Sequence, residues 1–75
     1  MLSLDQKNKT ITIWFAVNKN GFINMFLNPP TRNKECGMWV SNHYFVNSII
    51  YPQICSIVEK AKMNWESEPE VIQFS

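Results

Sequence analysis

The sequence predicts an α+β fold: an antiparallel sheet of four or five strands with one α-helix packed on one face. Three observations predict it. Residues 9–27 carry two β-rich runs around a turn. Residues 52–65 place apolar side chains at helical spacing. Residues 70–74 return to strand composition. A chain of 75 residues holds one domain, spanning 1–75. With 45% hydrophobic and 13% aromatic residues it has the material for a core, which disordered chains lack.

Residues 1–8 read as a polar lead-in. Lys9 to Val17 is the clearest strand, rich in β-branched and aromatic residues, with Ile11, Ile13, Phe15 and Val17 on one face. Asn18-Lys19-Asn20-Gly21 signals a turn into a second strand, Phe22–Leu27. A three-residue loop, Lys19-Asn20-Gly21 with Gly21 left-handed, pairs Val17 with Ile23, Phe15 with Met25 and Ile13 with Leu27. A one-residue slip scatters that apolar set over both faces, so burial selects this register. Pro29-Pro30 ends the strand, since neither residue can donate to a ladder.

Asn28–Gly37 reads as a polar loop, Met38–Ser41 as a third short strand, and His43–Asn47 as a fourth after a turn at Asn42. Pro52 suits a first helical turn, and Ile54, Val58, Ala61 and Trp65 follow along one stripe. The helix is therefore placed at Pro52–Asn64, broken by Ser67-Glu68-Pro69, and Glu70–Phe74 closes the sheet.

The net charge of +1 selects no class of partner, but its distribution is uneven. Residues 1–34 carry +4 and residues 35–75 carry −3, an asymmetry that can steer partners and also arises by chance in so short a chain. The first residues turn polar too soon for a secretory signal, and no run reaches the ~18 apolar residues of a membrane helix. The expectation is a cytoplasmic protein whose Cys36 and Cys55 are free thiols.

Little here promises catalysis. The single His43 and the two cysteines show no spacing that pairs a thiol with an oriented imidazole. Cys36, His43 and Cys55 lack the close-paired ligands of a structural zinc site. Glu66, Glu68 and Glu70 alternate around Pro69 without a calcium-loop pattern and read as a solvated turn entering an edge strand. Gly21 and Gly37 sit in no phosphate-binding loop. The expectation is a non-enzyme with no metal and no cofactor.

The functional expectation comes from the second face of the first hairpin. One helix covers one face of the sheet, which leaves Trp14, Phe22 and Phe26 without cover from this chain. Such a patch calls for a partner: another protein or a second copy of the chain, making a homodimer. Trp14, Phe22, Phe26 and Trp39 are the expected contact residues, with Arg32 and Lys34 orienting the approach. The alternative is a single-stranded nucleic-acid binder that stacks bases on the same rings beside the same cations.

Several pieces of the sequence resemble small proteins of bacterial prophages and related mobile elements. They are the hairpin around Asn20-Gly21, Pro30 with Arg32, Gly37-Met38-Trp39-Val40, Tyr51-Pro52 and Trp65-Glu66-Ser67-Glu68-Pro69-Glu70-Val71. The resemblance implies no particular activity. It favours an accessory role over housekeeping enzymology.

Overall fold

The first hairpin forms in the register that burial demands. In the computed structural model, which describes residues 11–45 and 48–74, β1 (Ile11–Val17) pairs antiparallel with β2 (Ile23–Phe26). Val17 opposes Ile23 and Phe15 opposes Met25. Gly21 sits at φ 92°, and its N–H donates to the Asn18 carbonyl at 2.9 Å. Asn18 N–H closes the loop on the Phe22 carbonyl at 2.7 Å. Without a Cβ, Gly21 takes this positive φ at no steric cost.

The predicted α+β class stands, but the single four- or five-stranded sheet is corrected. Among the described residues five strands divide into two sheets: β2-β1-β5, and a separate hairpin of β3 (Thr31–Asn33) with β4 (Met38–Val40). β5 (Glu70–Phe74) pairs antiparallel with β1, Ile13 opposing Ile72. β3 lies inside the stretch expected to be a polar loop. Its residues Thr31, Arg32 and Asn33 show no apolar alternation, and they become a strand because β4 needs a neighbour. Of the expected fourth strand, a single bridge from Phe26 to Tyr44 is present, and Val46 and Asn47 lie outside the described residues. So do residues 1–8 and the first two residues of the predicted first strand.

The helix α1 spans Tyr51–Ala61, shorter than the predicted Pro52–Asn64. It stops because Lys62 turns left-handed at φ 55°, with Lys62 N–H on the Glu59 carbonyl and Met63 N–H on the Val58 carbonyl. That paired closure satisfies carbonyls that the helix end would otherwise leave open.

This early stop decides what covers the sheet. α1 covers the first face: Ile54 and Ile50 pack with Ile13, Phe15 and Met25, joined by Ile57, Val58, Met63 and Ile72. Trp65, expected on the helical stripe, is released past Lys62 and reaches the opposite face. There it and Trp14 flank Ala16, Phe26 and Trp39. The second face, expected to be bare, is thus covered by this same chain. Ile11 and Leu27, expected on the buried apolar face, are exposed: Ile11 is the first residue of β1 and Leu27 lies one residue past the end of β2.

The left-handed Lys62 strains a residue with a Cβ by about 1 kcal/mol. Lys62→Gly is therefore expected to raise stability by about 0.5–1 kcal/mol, read as a higher denaturant midpoint by circular dichroism.

Candidate functional site

Two hairpin tips meet at one end of the molecule, and one buried asparagine holds them. Asn18 closes the β1–β2 turn with its backbone. Its side chain is buried, and its Oδ1 accepts the Trp39 N–H of β4 at 2.8 Å. The Trp39 indole N–H donates to the Val17 carbonyl at 3.0 Å, and Lys19 N–H donates to the Gly37 carbonyl at 2.9 Å. Gly37 has φ 70°, and a Cβ there would meet the Lys19 Cβ at 3.2 Å, so glycine permits both the turn and the contact. The second tip is organised by Asn33, whose Oδ1 accepts from Glu35 N–H (3.0 Å) and Cys36 N–H (3.3 Å).

Between the tips lies an open cleft of about 410 Å³, walled by Lys19 and Asn20 on one side and by residues 34–38 on the other. Lys19, Lys34, Glu35 and the Cys36 thiol are exposed there, as is Met38. Neither lysine has a carboxylate within 4.0 Å among the described residues. Phe22, 70% exposed, stands on the first tip with its N–H on Asn20 Oδ1.

The residues singled out in the sequence are therefore split. Phe22 and Lys34 belong to this exposed end. Phe26 and Trp39 are buried and Trp14 is half-buried, all in the second core. Arg32 is engaged inside the chain. Its guanidinium lies 4.5 Å from the Trp39 ring centroid and 5.4 Å from that of Trp65. One Nη donates to the carbonyls of Trp65 (3.2 Å) and Ser67 (3.4 Å) and stands 4.0 Å from the exposed Glu68 carboxylate. Arg32 thus pins the 64–69 turn to the second face. Lys19, Asn18, Gly37 and Met38 were missed as site residues. The signal available was two Asn/Gly turns that each carry a lysine.

Cys36, His43 and Cys55 fall on three separate segments, and among the described residues no three His, Cys, Asp or Glu side chains gather as they would around a metal. His43 Nδ1 lies 2.8 Å from Asn28 Oδ1. On α1 the Tyr51 phenol is raised above its usual pKa by desolvation first, then by its hydrogen bond to and the charge of Cys55. Among the described residues no helix is long and apolar enough to cross a membrane.

Arg32→Lys keeps the charge but loses the flat fork, and is expected to lower stability by about 1–2 kcal/mol. Glu68→Gln removes an exposed partner at the limit of ion-pair range and is expected to shift it by less than about 0.5 kcal/mol. Asn18→Ala strands the buried Trp39 N–H and is expected to cost about 1–3 kcal/mol. Urea melts followed by circular dichroism rank the three. No protein-family model matches the chain, and neither a curated protein nor a solved structure does.

Proposed function

We propose that this chain is a small non-enzymatic interaction module that holds an acidic protein segment between its two hairpin tips. The observation that carries the reading is the Lys19–Gly37 junction, which sets two turns from different sheets side by side around one cleft. The cleft offers a partner three things. Two ammonium groups free of internal carboxylates attract negative charge, with Glu35 limiting the excess to one positive unit. The Phe22 ring, exposed on the same tip as Lys19, supplies an aromatic anchor. The backbone behind them is held by Asn18 and Asn33, so little ordering is left for the moment of binding.

The sequence-level idea of an aromatic sheet face gives way to this smaller surface, because Phe26 and Trp39 are buried within the chain. The same burial weakens the nucleic-acid reading: of the four expected contact rings, Phe22 alone is exposed.

The test is an amide chemical-shift titration with a glutamate-rich peptide carrying one tryptophan, run beside a dT oligonucleotide. The peptide is expected to shift residues 19–22 and 34–38 and to lose that effect in Lys19→Glu/Lys34→Glu. Shifts elsewhere, shifts that survive the double variant, or a response to the oligonucleotide alone that falls steeply with salt would overturn the reading.

A further inference from the structure

The three-stranded sheet has two edges, and the chain treats them differently. The outer edge of β2 is closed by residues 43–45: Leu27 N–H donates to the His43 carbonyl and Phe45 N–H to the Met25 carbonyl, each at 2.9 Å. β5 is the other edge, and among the described residues no strand lies beside it. We propose that β5 pairs antiparallel with β5 of a second copy, joining two three-stranded sheets into one of six.

The ladder shows which groups are available. Asn18 and Phe22 form a hydrogen-bonded pair, so with the two-residue alternation of an antiparallel ladder Ala16 and Trp14 also turn their backbone groups toward β2. Ile11, Ile13 and Phe15 then turn theirs toward β5, where they meet Phe74, Ile72 and Glu70. The outward bonds at Met25 and Leu27 on β2 follow the same phase. Val71 and Gln73 must therefore aim their N–H and C=O groups away from the sheet.

One symmetric register satisfies these four groups with residues of β5 alone. Centred on Ile72, it sets Val71 against the partner's Gln73 and Gln73 against the partner's Val71, which satisfies both N–H and both C=O groups of each copy. Shifted toward Pro69, it would set Gln73 against a residue with no N–H. The centred register also suits the side chains. Ile72, half-buried on the helix side, meets the partner's Ile72 and extends that core across the two-fold axis. Val71, 43% exposed, gains cover. The two Glu70 carboxylates fall at opposite ends of the junction, about 13 Å apart along the strands. β5 carries no lysine, proline or bulge of the kind that blocks edge pairing; its one charge, Glu70, is at the end. Because the register is self-complementary, the occupant it fits is a copy of the chain.

Two five-residue strands bury less than the ~1,200 Å² of a stable interface, so the dimer exchanges with monomer at a Kd between about 1 μM and 1 mM. Sedimentation equilibrium up to about 1 mM is expected to show the mass rising from 8.8 kDa toward twice that value. Val71→Pro removes an outward N–H and leaves the β1 ladder whole, so it is expected to stay at one chain's mass with an unchanged circular-dichroism spectrum. In the unmodified protein, the Val71 and Gln73 amides are expected to exchange more slowly at high than at low concentration, by the factor that the remaining monomer fraction from sedimentation sets. A mass of one chain throughout, a dimer that survives Val71→Pro, or protection of both amides independent of concentration, meaning the edge is covered by the chain itself, would each overturn the proposal. None of these readouts involves the tip cleft.

Discussion

A hairpin apolar on both faces cannot stand alone in water, and everything else in this chain answers that constraint. Ile13, Phe15 and Met25 need one cover; Ala16 and Phe26 need another. A single short helix has one apolar stripe and serves one face. The second cover is assembled from parts distant in sequence: β4 with Trp39, the turn after α1 with Trp65, and Arg32 stacked on both indoles. The left-handed Lys62 makes this division workable, because it leaves Met63 on the helix side and sends Trp65 to the other.

What could be read from the sequence was local. The β1–β2 register followed from alternation and one glycine, and the Glu70–Phe74 strand from its β-branched residues. What could not be read depended on contacts across the chain. Thr31-Arg32-Asn33 has no strand signature of its own and takes strand form by pairing with β4, whose Trp39 is anchored to Asn18 and Val17. Trp65 continues the spacing of Ile54 and Val58, so periodicity alone assigns it to the wrong face; the stop at Lys62 has no Gly or Asn to announce it. The candidate site shows the same division. Phe22 was visible as an aromatic opening the second strand and Lys34 as a cation of the polar loop, whereas the cleft exists because Gly37 lets a second tip touch Lys19.

Arg32 shows how a residue type misleads when its surroundings are unknown. An arginine in a polar loop reads as a cation available to a partner. Here two indole faces and two carbonyls occupy it, with Glu68 marking the exposed rim. The binding end is left to flexible lysines on rigid turns, a combination that favours attraction over geometric selectivity.

All three tryptophans, Trp14, Trp39 and Trp65, lie in the cluster on the side away from α1, and none belongs to the helix-side core. The intrinsic emission of this protein is therefore a one-sided probe. Detachment of the second hairpin would alter it strongly, while loosening of α1 from Ile13 and Phe15 would pass almost unseen in fluorescence and register in the far-ultraviolet signal instead. Any disagreement between the two spectroscopies during unfolding would measure how far the two halves of this small domain come apart separately.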